Sequence, residues 1–278
     1  MLTVDDVLFF DTETTGVPDR AAHWDTDYAD YPHVVQLAWV VRGREETHII
    51  RPDGWTIPEE AISVHGITNE RALAEGEPFD AVVLRFLTDC IGVPLICGHN
   101  IHFDTSIIKA NIIREYGWKW YDENGVEDAL FKGKRIDTMR PAMKWVDARA
   151  MNGRLKFPRL EELYSRCFPG ETFPAHDALE DVKACQRCLP VLLDKGIVEL
   201  RIKEYPKDAE LFKSGPSCEQ VRDQVDNKSQ ETAKIGPNSA DMQKDDNLSV
   251  QTEKCAKIED SEKITDDDVA FLLGQNDF

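Results

Sequence analysis

Asp11 and Glu13 form an Asp-x-Glu at the end of the apolar run Val7-Leu8-Phe9-Phe10, just ahead of Thr14-Thr15-Gly16. Side chains of an extended strand alternate faces, so Val7, Phe9, Asp11 and Glu13 share one side and Leu8, Phe10 and Thr12 the other. Two carboxylates leaving a strand end on the same side repel unless a cation or a proton lies between them. Oxygen-seeking ions such as Mg²⁺ or Mn²⁺ suit that arrangement. An Asp-x-Glu alone says little in a chain with 52 acidic residues. Its place, where a hydrophobic strand runs into a turn at a sheet edge, says more.

A second group, Gly98-His99-Asn100-Ile101-His102-Phe103-Asp104, follows a short apolar run and opens a helix. Ile107 and Ile108 lie three and four residues beyond Asp104 and share its helix face, which directs the carboxylate toward the core side. Two roles stay open for Asp104 on this pattern, the N-cap of its helix or a ligand in a site. The third group is Pro174-Ala175-His176-Asp177-Ala178-Leu179-Glu180-Asp181. It heads a helix whose apolar stripe is Ala178, Val182, Cys185, Cys188 or Leu189, and Leu192. Asp177 with Glu180 three residues on resembles a capping box, which starts the helix at Ala178 and leaves His176 just outside it. Inside one helix His176 and Asp181 would point about 140° apart; with His176 in the preceding loop, both converge on one site. Asp181 sits among apolar neighbours, where an unpaired carboxylate is unfavourable and a metal ion is one remedy.

These groups need elements to position them. Apolar runs predict strands at 7–11, 34–41 and about 47–50, the last two joined by the tight turn Arg42-Gly43-Arg44, so the chain starts antiparallel. Strand-like segments at 94–97 and 135–138 then alternate with helical patterns near 79–90, 104–116, 160–167 and 178–193. An α/β sheet with both antiparallel and parallel strands follows. Beyond about Phe212 the composition changes. Residues 214–270 contain no Phe, Trp or Tyr and many charged and polar side chains, too little apolar surface to offset the entropy of ordering. The organisation expected is a catalytic domain over 1–212, a disordered acidic linker over 213–268 and an apolar docking motif over 269–278. The alternative for that last segment is that it packs back on its own domain or has no role.

Bulk properties narrow the classes. The apolar fraction of 41% supports a sizeable core. No run approaches a membrane span, and the first residues lack a basic leader region, so a soluble, cytoplasmic protein without membrane partners is expected. Seven cysteines form no paired framework, and free thiols are expected. Cys185 and Cys188 make a CxxC with no second pair at zinc spacing, inside a helical pattern, and read as core. A net charge of −19 argues against gripping a polyanion through the general field of the protein, so nucleic-acid contact must be local and cation-assisted. Residues 131–159 run against this trend, with nine basic side chains (Lys132, Lys134, Arg135, Arg140, Lys144, Arg149, Arg154, Lys156, Arg159) and two acidic ones, Asp137 and Asp147. That segment is either a phosphate-facing surface or an ordinary solvated one balanced by acidic neighbours.

Phe9-Phe10-Asp11-Thr12-Glu13-Thr14-Thr15-Gly16, then His99-Asn100-Ile101-His102-Phe103-Asp104, then His176 with Asp181, resemble in order the three exonuclease motifs of the DEDDh superfamily. Val64-His65-Gly66-Ile67-Thr68 also resembles the His-Gly-Ile segment in relatives of the proofreading subunit of bacterial DNA polymerase III. The match covers about residues 6–193, with all four acidic positions and the histidine intact. It departs from the pattern in an insertion, 17–33, and in the tail after Phe212. The resemblance implies an RNase-H-like exonuclease fold, a five-stranded mixed sheet of order 3-2-1-4-5 flanked by helices, and 3′-to-5′ hydrolysis with two metal ions, Mg²⁺ or Mn²⁺, that releases 5′-mononucleotides. It implies that Asp11 bridges both ions, that Glu13 and Asp181 hold the ion that activates water, and that Asp104 supports the second. His176 would take the proton of the attacking water, and Thr12, Thr14, Thr15 and His65 would seat the terminal nucleotide. Asn100 would tie down its own turn. The implied partner is a nucleic acid with a free 3′ end. DNA is favoured by the polymerase-III-like segment and RNA is the alternative; a reading of another class makes the protein mainly an adaptor, its C-terminal peptide docking on a polymerase, sliding clamp or other replication factor.

Overall fold

The computed structural model describes residues 2–19, 21–124, 126 and 135–201. The expected linker at 213–268 and docking motif at 269–278 lie outside the described residues, as does the last part of the expected 1–212 domain.

Five strands, β1 (Val7–Thr14), β2 (Val34–Val41), β3 (Arg44–Ile49), β4 (Leu95–Gly98) and β5 (Arg135–Asp137), form one sheet in the order β3-β2-β1-β4-β5. β2 runs antiparallel to β1 and β3, while β4 and β5 run parallel to β1. This is the mixed 3-2-1-4-5 sheet expected. The β2–β3 hairpin closes through Arg42 and Gly43 at φ +50° and +76°, the paired left-handed conformation that a two-residue turn of matching twist demands.

Helices cover both faces, and the alternation of β1 decides what each covers. Leu8 and Phe10 join Trp39, Phe86, Ile107 and Ile108 in the cluster under α3 (Phe79–Ile91) and α4 (Ile101–Glu123). Val7 and Phe9 join Ala142, Leu163, Val182 and Leu189 under α5 (Met139–Val146), α6 (Leu160–Cys167) and α7 (Ala178–Asp194). Continuing that alternation puts Asp11 and Glu13 on the α7 side of the strand and Thr12 on the α4 side. Cys185 and Cys188 are buried in the α7 cluster, and with Cys90, Cys97 and Cys167 they are free thiols, as expected.

Several boundaries differ from expectation. β3 begins at Arg44 rather than near 47, and α4 begins at Ile101 and is interrupted at Gly117, whose φ of +78° and ψ of 163° are not helical. Two short helices, α1 (Glu59–His65) and α2 (Asn69–Glu75), and also α5, carry no strong sequence signal. α1 buries only Ala61, α2 only Ala72, and α5 only Met139 and Ala142. Helices this short depend on tertiary packing, here on Val35, Ile57 and Ile67 for the first two. No helix among the described residues is long and apolar enough to cross a membrane.

Candidate active site

The centre of the site is the C-terminal end of β1. Asp11 pairs in register with Ala38 and Glu13 with Gln36, and a bulge follows between Glu13 and Thr14. One carboxylate oxygen each from Asp11, Glu13 and Asp181 lie within 4.8 Å of one another, and no other cluster of this kind occurs among the described residues. Burial is the largest influence on all three. It holds the Asp11 carboxyl well above the ordinary range, helped by repulsion from Asp104, Asp181 and Glu13. Burial, with repulsion from Asp181 and Asp104, pushes Glu13 up to about 8. Asp181 is raised by burial to about 7, opposed by the His176 amide and reinforced by Glu161, Asp177 and Asp104. Carboxylates gathered this closely with raised proton affinity could hold a cation between them.

Asp104 approaches from the other face. It lies in the first turn of α4, is 3% exposed, and its Oδ1 accepts from both the amide (3.1 Å) and the hydroxyl (2.7 Å) of Thr12. Burial raises its pKa to about 7 against these two lowering hydrogen bonds. The N-cap alternative is excluded, because α4 starts three residues earlier with Asn100 at the cap position. Asn100 turns the chain with a left-handed φ of +62°, and its amide donates to Asp137 Oδ1 (3.1 Å).

At the head of α7 the Asp177 side chain accepts from the amides of Leu179 (3.1 Å) and Glu180 (3.3 Å), so it caps the helix as expected. The reciprocal half of a capping box is not formed, since Glu180 instead pairs with Lys183 at 3.2 Å. His176 lies before the helix at φ +68°, with its amide donating to Asp181 Oδ2 (3.2 Å) and its ring Nε2 3.9 Å from Glu161. The backbone of His176 therefore meets the Asp181 carboxylate at this corner, while its exposed imidazole faces Glu161.

The four residues expected to seat a nucleotide border this corner. His65 ends α1; its Nδ1 accepts from the Ile67 amide (3.1 Å), which leaves the proton on a buried Nε2 with no well-formed partner among the described residues. Burial lowers its pKa, the Thr14 carbonyl opposes that, and His176 reinforces it, so His65 stands electrostatically close to both. The three threonine hydroxyls are engaged within the chain: Thr12 with Asp104, Thr14 with the Gly16 carbonyl (2.5 Å), and Thr15 with the His33 amide (2.9 Å).

Known structures share this architecture. E. coli exonuclease I in complex with a dA16 oligonucleotide matches at 24% identity and a TM-score of 0.49, over 68% of this chain and 40% of that one. Exonuclease I from Methylocaldum szegediense matches at 21% identity and a TM-score of 0.50, with the same coverage. Over the matched regions the fold is shared with exonuclease I from Methylocaldum szegediense. It is RNase-H-like, and this chain spans about 40% of the length of those two structures. No family model and no curated protein matches the chain.

Other residues that the motifs do not mark hold the site. Gln36 on β2, 5% exposed, accepts from the Ala178 amide (3.3 Å) and so ties the start of α7 to the sheet. His99 bridges Thr138 Oγ1 (3.0 Å) and the Pro158 carbonyl (2.9 Å), and Asp137 Oδ1 accepts from the Asn100 and Met139 amides. His99 and Asp137 were visible as polar residues at two neighbouring strand ends; Gln36 gives no local signal in an otherwise apolar strand. The basic segment 131–159 is partly neutralised. Arg140 pairs with Asp137, Arg149 with Asp147 and Lys156 with Glu162, while Arg135, Lys144, Arg154 and Arg159 are exposed. Lys132 and Lys134 lie outside the described residues.

Proposed function

We propose that the chain is a divalent-metal-dependent 3′-to-5′ exonuclease that releases 5′-mononucleotides from the 3′ ends of DNA. The gathering of Asp11, Glu13 and Asp181 oxygens within 4.8 Å carries this reading. An all-oxygen donor set suits Mg²⁺ or Mn²⁺ rather than a softer metal. Asp11, Glu13 and Asp181 would hold one ion, and Asp104, with Asp11, would support a second. Ions bound there would stabilise charge on the attacking and leaving oxygens. They also offset the repulsion that four carboxylates would exert on a phosphodiester.

The chain's own residues do the rest. The imidazole of His176 accepts a proton from the attacking water, work that suits a histidine near neutral pH. The water oxygen bonds to the terminal phosphorus, the bond to the 3′ oxygen of the preceding nucleotide breaks, and that oxygen takes a proton from solvent to leave as a hydroxyl while His176 returns its proton to solvent. Thr12, Thr14 and Thr15, together with His65, seat the terminal nucleotide. Thr12 also holds Asp104, so its substitution would disturb both functions.

The choice of DNA rests on the polymerase-III-like His65-Gly66-Ile67 segment, which points to proofreading or repair. The apolar residues 269–273, behind an acidic run, support docking of the tail on a polymerase, sliding clamp or other replication factor. Tethering would raise the local concentration of the site at a partner's DNA end.

Matched 5′-labelled single-stranded DNA, mismatched duplex and RNA, incubated with Mg²⁺, Mn²⁺ or chelator, test the reading. Stepwise shortening from the 3′ end that needs the metal is expected, with DNA degraded faster than RNA. Metal-independent hydrolysis would refute the mechanism, and faster degradation of RNA would refute the substrate.

A further inference from the structure

The insertion between β1 and β2 is a loop with both ends at the site. The Thr15 amide donates to the His33 carbonyl (3.0 Å), and the His33 amide donates to Thr15 Oγ1 (2.9 Å). Connections this long without regular structure ordinarily sample many conformations. This one is held from the far side by α4. Asn111 Nδ2 donates to the Pro32 carbonyl (2.9 Å). The Arg114 guanidinium donates through Nη1 to His33 Nδ1 (3.1 Å) and Asn111 Oδ1 (2.9 Å), and through Nη2 to the carbonyls of Tyr28 and Tyr31 (both 2.5 Å). A guanidinium cannot accept, so His33 Nδ1 must, which places the ring proton on Nε2 and makes the imidazole neutral. Burial, then the Arg114 charge, hold the His33 pKa down at about 4, in accord with that tautomer. The same ring stacks on Trp55, with centroids 4.5 Å apart and planes 9° from parallel.

The geometry points to Arg114 as a positioning residue: through His33 it fixes Thr15 and the turn at the end of β1, where the terminal nucleotide is seated, without touching substrate itself. This rests on the exonuclease reading of the site. A rigid planar fork with several donors orders a loop in a way that a lysine, a point charge on a flexible stem, does not. Loosening the loop therefore weakens nucleotide seating while leaving the carboxylates and His176, which stand on β1, α4 and the head of α7, in place.

The test is steady-state hydrolysis of the p-nitrophenyl ester of thymidine 5′-monophosphate with Mn²⁺ by the full chain and by Arg114→Ala, Arg114→Lys and Asn111→Ala. For Arg114→Ala the KM should rise about tenfold, equivalent to ~1.4 kcal/mol, with kcat within about twofold of the parent. Arg114→Lys should lie between the two, and Asn111→Ala, which keeps the guanidinium, should raise KM by a smaller factor. These two milder variants carry the test if Arg114→Ala does not fold. An unchanged KM in folded variants, or a fall in kcat at constant KM, overturns the proposal. If the parent protein hydrolyses nothing, so that the exonuclease reading fails, tryptophan fluorescence titration with thymidine 5′-monophosphate decides the positioning role separately. About tenfold weaker binding in Arg114→Ala supports it; equal affinity, or no binding by the parent, overturns it.

Discussion

Two groups of partly buried charge flank the end of β1, and the chain supplies them with partners to different degrees. Arg114 is held at both terminal nitrogens, with four donated hydrogen bonds to two carbonyls, an imidazole and an amide oxygen, although its Nε has no partner among the described residues and burial lowers its pKa. Asp11, Glu13 and Asp181 are surrounded largely by one another, and their proton affinity rises accordingly. A partly buried charge that the chain largely pairs is part of the fold's stability. A cluster of carboxylates with raised proton affinity in a cleft is the kind of arrangement found at functional sites. Asp104 stands between the two cases, held by Thr12 yet still raised to about 7.

The sharpest way to break this contrast is to remove one charge from each group. Asp11→Asn should lower hydrolysis by about 10³-fold or more, since several kcal/mol of charge stabilisation is lost at 1.36 kcal/mol per decade. The same substitution should raise the melting temperature of the metal-free protein, because a strained charge has gone. Arg114→Ala should instead lower stability by about 3 kcal/mol, because two carbonyls and an imidazole lose a charged donor. Urea unfolding of both variants in chelator measures the two signs, and destabilisation by Asp11→Asn would erase the distinction. Next in size, His176→Gln should lower kcat by about 10²-fold or more while the thermal shift produced by Mn²⁺ is retained. Loss of that shift would make His176 part of the ion site rather than a base.

A smaller effect is the pH dependence of stability without metal. Folded-state values of about 8 for Glu13 and about 7 for Asp104 and Asp181 lie above the unfolded carboxylate range near 4. The folded state therefore holds more protons than the unfolded state between those limits. Stability from these groups is present in full below pH about 4, declines as pH rises through the folded values, and levels off above about 8. Saturating Mn²⁺ should flatten the decline at neutral pH. Chemical unfolding across pH 5 to 9, with and without the ion, measures it, and a metal-free curve that rises over this range contradicts the account.

Much of the site was legible because it follows from local rules. Strand alternation placed Asp11 and Glu13 together, and the cap at Asp177 put His176 outside its helix. Asp104 was ambiguous from its pattern because the helix start was placed three residues late; the left-handed turn at Asn100, which gives no hydrophobic signal, moved it. α1, α2 and α5 escaped for a related reason, being short helices with one or two buried residues each. The Arg114 knot was not legible at all. Its partners lie more than 80 residues away in the sequence, except Asn111 one turn before it, and three of its five contacted atoms, counting the Pro32 carbonyl held by Asn111, belong to backbone whose identity no residue type announces.

The most direct test of the central claim, that Asp11, Glu13 and Asp181 are a cation site, is calorimetric titration of the chelator-stripped protein with Mn²⁺ at pH 7 in buffers of different ionisation enthalpy. Saturable binding with release of protons is predicted, because ions displace the protons that the raised carboxylates retain, and Asp11→Asn should weaken the binding and reduce the release. Absence of saturable binding, or identical binding and proton release in Asp11→Asn, would contradict it.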